Sequence, residues 1–354
     1  MKSTVALALV LLLTLAGCDR TEPVYNSRFL AFGTINDISI VGVTRQDAEA
    51  AVAALEEDFA AMHKAWHAWN PGPLARTNRL LEEGVRFPAP PSVLALVKLS
   101  KELASRSDQL FNPAIGRLIA LWGFHRDRIT CEHLPKKAEI EALVKANPSM
   151  DDIDVDGIFL RSRNPVVQLD FGAIGKGYGI DLAIGHLKEL GITNAIVNSG
   201  GDLRAIGSRG GHPWRIAIRS PSGSGTLGFI NVAGDESVFT SGDYERNCLW
   251  QGRLYHHIID PRTGYPARGT RSVTVIHDNA AVADAAATAL FVAGPEQWHR
   301  IARQMGIRYV LLVDENNTVH MNPAMQRRVE LIDRKQPVKL SPPLVDEAPP
   351  SPGK

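Results

Sequence analysis

The chain has 354 residues, 44% of them hydrophobic, which is enough to bury one large core or two smaller ones. Its 39 lysines and arginines oppose 38 aspartates and glutamates, for a formal charge of +1. The composition reads as globular, and the balance of charge does not suggest nucleic acid as a partner.

The first element is at the N-terminus. Lys2 precedes an apolar run over residues 5–15, too short to span a bilayer and of the proportions of a secretory signal. The run closes on Leu15-Ala16-Gly17-Cys18, which resembles the bacterial lipobox, where removal of residues 1–17 leaves the cysteine as a lipidated first residue. The alternative is an ordinary signal with an incidental cysteine, or an uncleaved anchor. Residues 18–28 form a polar tether, and Asp19 directly after the lipidated Cys18 suggests retention at the inner membrane, on its periplasmic face. Cys131 and Cys248 then remain, to pair in an oxidising compartment or to stay as two buried thiols.

Residues 29–43 read as a strand pair or one bent strand, with Gly33 and Asn36-Asp37 as points of irregularity. Thr44 and Asp47 resemble a capping box ahead of a helix whose stripe is Ala48, Val52, Leu55, Phe59, Met62, Trp66 and Trp69. Residues 70–73, rich in proline and glycine, end it. A second helix is expected over 92–106, a short third opening at Asn112-Pro113, and a charged surface helix over 136–146. From residue 153 strands dominate, at 166–170, 195–198, 214–219, 227–232, 254–260 and 272–277. Two helices interrupt them, 176–190 closed by Gly191 and 280–293 closed by Gly294-Pro295. The mixture predicts an α+β fold, a single catalytic domain over 29–328 of two lobes, and a proline-rich disordered tail over 336–354.

Three segments can carry chemistry. Residues 169–177 leave a strand, cross a glycine-rich turn and enter a helix, where backbone N–H groups and Lys176 suit a phosphate. The spacing is not that of a Walker A loop, and a plain tight turn is the alternative. Asp284 and Thr288 are four residues apart on one helix face, a carboxylate and a hydroxyl that suit Mg²⁺, or else a capping aspartate and a buried threonine. His256 and His257 are adjacent on a strand, so at most one faces a given site; there it moves a proton or merely packs.

These segments are part of an ordered series. It comprises Phe32-Gly33-Thr34, Phe111-Asn112-Pro113, Leu121-Trp122-Gly123-Phe124, residues 169–177, Asn198-Ser199-Gly200-Gly201-Asp202, Thr240-Ser241-Gly242-Asp243-Tyr244, His257-Ile258-Ile259-Asp260-Pro261, and Ala283-Asp284-Ala285 with Thr288. Over residues 29–313 it resembles the bacterial FAD:protein FMN transferases, the ApbE-type flavin transferases. The resemblance implies Mg²⁺ held by Asp284, Thr288 and the main-chain carbonyl of Ala173. It implies FAD as substrate, in a cleft between the lobes, contacted by Phe32, Trp69, Leu110, Phe111, Asn112, Asp170, Lys176 and Ile258, with His257 moving the proton. It implies transfer of FMN to a Ser or Thr hydroxyl with release of AMP. The acceptor would be a subunit of a membrane electron-transport complex, such as sodium-translocating NADH:quinone reductase or Rnf, carrying Asp-Gly-x-Ser/Thr-Gly-Ala-Ser/Thr. Transfer to water, as a Mg²⁺-dependent FAD pyrophosphatase, and flavin binding without catalysis are the alternatives. The chain departs from the family pattern at Phe32 (usually methionine), Asn112 (commonly aspartate), His256 (usually serine) and in the loop after Trp69.

Overall fold

The computed structural model describes residues 23–126, 129–131, 134–223 and 225–345. The expected signal segment with Cys18 and Asp19, and residues 346–354, lie outside the described residues.

The described chain opens on a hairpin. β1 (Val24–Ala31) pairs antiparallel with β2 (Thr34–Val41), Ala31 opposite Thr34, so Phe32 and Gly33 alone make the turn. Their φ angles are 53° and 69°, the positive pair that suits a two-residue hairpin; glycine takes it freely and an aromatic residue only under strain. The tether expected over 18–28 is shortened, because β1 begins at Val24: an edge strand is held by main-chain bonds, which a polar composition does not forbid. Asn36-Asp37 is no irregularity either. The pair keeps register opposite Phe29 and Arg28, and Arg28 bonds Asp37 across the strands at 2.6 Å.

α1 (Arg45–Trp66) is capped by the Thr44 hydroxyl, which accepts the Asp47 N–H, and buries the stripe from Ala48 to Trp66. Trp69 falls outside that stripe, in a loop where His67 Nδ1 accepts the N–H groups of Trp69 and Asn70 at 3.2 and 3.0 Å. The prolines that stop α1 also start α2 (Pro73–Glu82), a helix the sequence reading missed, because proline ends one helix as readily as it opens the next. β3 (Phe87–Pro88) and α3 (Pro91–Arg106) follow. Asn112-Pro113 opens no helix. The Asn112 side chain accepts the Ala114 N–H at 3.0 Å and bends the chain into a turn, so α4 (Gly116–Leu121) starts later. α5 (Lys137–Ala146), β4 (Ile153–Asp156) and β5 (Phe159–Ser162) come next. Residues 166–170 form no strand: Val166 lies in a turn, and among the described residues the stretch makes one isolated bridge, between Gln168 and Ile115. The buried Asn78 side chain takes both polar groups of Leu169, at 2.8 and 2.9 Å, in place of a neighbouring strand.

The second half supplies α6 (Gly175–Glu189), β6 (Asn194–Ser199), β7 (Asp202–Ile206), β8 (Trp214–Arg219), β9 (Thr226–Val232), β10 (Glu236–Gly242), β11 (Asn247–Trp250), β12 (Arg253–His256) and β13 (Thr270–His277). α7 (Ala280–Met305), β14 (Tyr309–Asp314), β15 (Val319–Met321), α8 (Pro323–Gln326), β16 (Val329–Leu331) and β17 (Val338–Leu340) complete it. Gly294, at φ 73°, kinks α7 where the sequence reading ended the helix, and Pro295 opens its second part. A nine-stranded sheet runs β1-β2-β6-β7-β10-β13-β14-β15-β17, antiparallel except for its last pair. Its strands alternate: Phe239, Val273, Val275 and Leu312 face the helices, while Val238, Ile276, Leu311 and Val313 face the small sheet β16-β9-β8. Mixed sheets with helices packed against them make this an α+β fold.

The tail expected to be disordered from residue 336 is ordered as far as Val345. β17 extends the sheet edge through Val319 N–H to Pro337 and Ser341 N–H to Met321, and Leu344 is buried. Backbone pairing at an edge needs no apolar periodicity, so composition gave no sign of it. Cys131 and Cys248 form a disulfide.

Candidate functional site

The glycine turn delivers the chain into α6 with its opening N–H groups bonded outside the helix, Gly175 N–H to the Phe171 carbonyl at 2.7 Å. The first helical bond runs from Tyr178 N–H to the Ile174 carbonyl, so Gly177 N–H has no partner within the helix. It donates instead to Asp284 Oδ2 at 2.9 Å. Two features allow this approach. Gly177 has no Cβ, and one would fall 2.7 Å from the Ala280 carbonyl carbon. The facing turns of α7 are alanine, with Ala283, Ala285, Ala286, Ala287 and Ala289 all buried.

Lys176, one residue earlier, pairs with Asp202 at the start of β7, and the other Asp202 oxygen accepts the Thr240 N–H at 2.9 Å. Burial alone would lower the Lys176 ammonium, but the Asp202 and Asp284 carboxylates outweigh it and hold the group protonated, above its ordinary range. Burial pushes the Asp284 carboxyl up, and Asp202 adds to that; Lys176 and the Gly177 N–H oppose it. Thr288, a turn beyond Asp284, brings its hydroxyl to 3.4 Å from Ser241 Oγ. Ala173 is half-buried and precedes the helix.

The two histidines differ in their partners. His256 is 3% exposed and its ring is committed on both edges, Nε2 to the Ala267 carbonyl at 2.9 Å and Nδ1 to the Ile258 N–H at 3.3 Å. His257 is half-buried, its backbone N–H bonds the Arg246 carbonyl at 3.0 Å, and its buried Nδ1 has no partner. Burial, then the charges of His256, Arg246 and Lys176, push its imidazole down to about 3, so it stays neutral.

The remaining residues expected at the flavin separate by exposure. Phe32 is half-buried, its ring parallel to Trp66 at 5.9 Å between centroids. Trp69 is half-buried and lies 4.7 Å from the His125 ring. Asp170 is half-buried, and its Oδ1 accepts the Gly172 N–H at 2.8 Å. Leu110, Phe111 and Ile258 are buried in the core, Phe111 completely, so its ring presents no face to a ligand. The Asn112 amide is engaged by Pro148 and Ala114. The main chain joins this stretch to the site, since Asp170 N–H donates to the Pro113 carbonyl at 2.9 Å. Sequence reading assigned no role to Asp202, Glu245 or Arg246. Asp202 stood within a recognised motif, which was its signal. Glu245 and Arg246 directly follow another; burial raises the Glu245 carboxyl while Lys176 draws it back.

A helix N-terminus, a lysine held protonated between two carboxylates and a buried aspartate meet here, an arrangement whose chemistry suits a phosphate ester. The ApbE family pattern matches residues 32–311. A protein of Rhodobacter capsulatus named FAD:protein FMN transferase is 41% identical over 339 residues, 95% of this chain and 65% of that protein. A Vibrio cholerae protein of the same name is 33% identical over 64% of this chain and 68% of its own length. The crystal structure of the ApbE protein of Thermotoga maritima superposes with a TM-score of 0.78 at 31% identity, covering 86% of this chain and 99% of that one. The chain belongs to the ApbE family.

Proposed function

We propose that the chain transfers the FMN half of FAD to a Ser or Thr hydroxyl of an acceptor protein, releasing AMP. The reading rests on one observation above the others, the meeting of Lys176 and the Gly177 N–H with Asp284 where α6 crosses α7, in a chain whose relatives are named for this reaction. Lys176 and the positive N-terminal end of α6 bind pyrophosphate oxygens. His257, neutral and with an unpartnered ring nitrogen, takes the proton of the incoming hydroxyl. The hydroxyl oxygen bonds to the FMN phosphorus, the bond to the bridging oxygen breaks, and AMP leaves with that electron pair.

The donor set fits Mg²⁺. Asp284 is a carboxylate whose burial calls for a positive partner, Thr288 adds a hydroxyl, and Ala173 adds a carbonyl outside helical bonding. No group of three or more His, Cys, Asp or Glu among the described residues could hold a metal by itself, so phosphate oxygens and water would complete the shell. When bound, Mg²⁺ would neutralise charge gathering on the phosphates.

The acceptor motif and the membrane complexes named from the sequence resemblance belong to this proposal, as does a periplasmic lipid anchor at Cys18. The Cys131–Cys248 disulfide supports an oxidising compartment. No helix among the described residues is long and apolar enough to cross a membrane.

The test combines the protein, FAD, Mg²⁺ and a peptide carrying the acceptor motif, read by mass spectrometry. The peptide should gain FMN, and Asp284→Ala should lower the rate about 10²-fold or more with the fold intact by circular dichroism. Full activity in that variant would remove the basis of the site; free FMN without a peptide adduct would favour transfer to water.

A further inference from the structure

We infer that His125 is a positioning residue for FAD, bonding the edge of the planar ring system that lies against Trp69, the Trp69 contact being one the family resemblance already implies. This rests on the reading that the cleft takes FAD. The two side chains come from distant parts of the chain, Trp69 from the loop after α1 and His125 from the turn after α4. Their centroids are 4.7 Å apart and their planes are tilted by 42°, so the rings are splayed and not stacked. Both are half-buried.

His125 has no evident structural duty. Among the described residues the buried Nδ1 has no hydrogen-bond partner, and the nearby Ile119 backbone is the one polar group besides Asp170 that favours the charged ring, so no side chain holds the imidazole. A histidine kept only for packing, like His256, has both edges engaged by backbone.

Its position joins it to the chemistry. Asp170 and Arg246 lie within electrostatic reach of the His125 ring. The Arg246 guanidinium donates to the Phe124 and Arg126 carbonyls on either side of His125, at 2.8 and 2.9 Å. The Arg246 carbonyl in turn accepts the His257 N–H at 3.0 Å. A single residue therefore fixes His125 relative to the histidine assigned to proton transfer.

The ligand chemistry follows. A planar heteroaromatic ring with donors and acceptors along its edge can lie on the Trp69 face and bond to Nε2 of His125. Burial holds the imidazole below its ordinary range, so the ring is neutral and can donate or accept. Isoalloxazine and adenine both meet that description.

The experiment measures FAD binding by tryptophan fluorescence, together with KM and kcat for flavinylation, in the wild type, His125→Ala, His125→Phe and Trp69→Leu. FMN and AMP are titrated separately as ligands. In His125→Ala, KM and the Kd for FAD should rise roughly 10-fold, with kcat changed by less than about 3-fold. His125→Phe should recover part of the loss by restoring the ring without the hydrogen bond. The weakening should appear for FMN or for AMP but not for both, which identifies the ring. Unchanged FAD affinity in His125→Ala would overturn the inference, as would equal weakening for FMN and AMP, the mark of a loosened fold. A wild type that binds no FAD would instead defeat the reading of the cleft on which it rests.

Discussion

His256 and His257 are neighbours in opposite situations, and the difference is one of partners. The His256 ring is clamped between the Ala267 carbonyl and the Ile258 N–H, with its edge toward Phe291 at 5.3 Å, while His257 keeps a ring nitrogen free. Burial pushes His256 down to about 4, against which the Ala267 bond is a smaller opposing effect. An unfolded chain holds histidine near its ordinary value, about 6.5, so on acidification the unfolded state takes up the proton first. The stability from keeping His256 neutral is therefore complete above about 6.5 and lost as pH falls toward 4. The expected outcome for His256→Ser is a loss of about 1–3 kcal/mol at pH 7, a deficit that shrinks at lower pH, with flavinylation retained. Urea denaturation at pH 7 and pH 4.5 checks it, and a deficit unchanged with pH would mean that the ring does not titrate as assigned. His257→Gly, by contrast, should fold and lose flavinylation.

The helix crossing belongs to the element scale. Gly177 permits it, since a Cβ there would meet the Ala280 carbonyl carbon at 2.7 Å, whereas a Cβ on Gly185 of the same helix would meet nothing within 4 Å. Gly177→Ala should thus force α6 from α7, cost about 1–3 kcal/mol and weaken FAD binding. Gly185→Ala should be neutral or stabilising by up to about 1 kcal/mol. Thermal unfolding of the two variants side by side decides the matter; equal stability would show that the crossing is not limited by Gly177. Local marks made much of this legible in the sequence. The α1 stripe, its Thr44 cap and the Gly294-Pro295 break are written within one helix each, and they were found. The Gly177 to Asp284 bond joins residues 107 apart and leaves no local trace in a run of alanines. The same holds for β17 and for the side chain of Asn78 standing in as a strand beside Leu169. α2 was hidden by prolines that serve two helices at once. Phe111 and Ile258 stand in recognised motifs with their side chains buried, so a contact of theirs with the flavin would be made by the main chain, which a motif does not reveal.

At the scale of the whole molecule, the disulfide joins parts that the sheet does not. Cys131 follows the His125 turn and Cys248 is on β11, 117 residues further on; β11 pairs with β12, which leads into His257. The large sheet passes by this hairpin, since among the described residues β11 and β12 pair with each other alone. The hairpin is held instead by the disulfide, by Arg246 and by apolar contacts around Trp122 and Tyr255. Closing so long a loop restricts the unfolded chain by about 4–5 kcal/mol in the chain-entropy treatment, so compartment and stability are linked. A chain lacking residues 1–17 and kept in a reducing cytosol should carry three thiols, at Cys18, Cys131 and Cys248, and unfold at markedly lower urea than the same chain with the Cys131–Cys248 disulfide formed. Reductant should bring the disulfide-bonded protein to the same midpoint. Cys18→Ala separates anchoring from export: it should remain disulfide-bonded but leave the membrane fraction for the soluble one. Retention at the membrane without Cys18 would show that the attachment is not lipid at that residue. Equal urea midpoints with and without the disulfide would show that Arg246 and the apolar contacts suffice to hold the hairpin that positions His257.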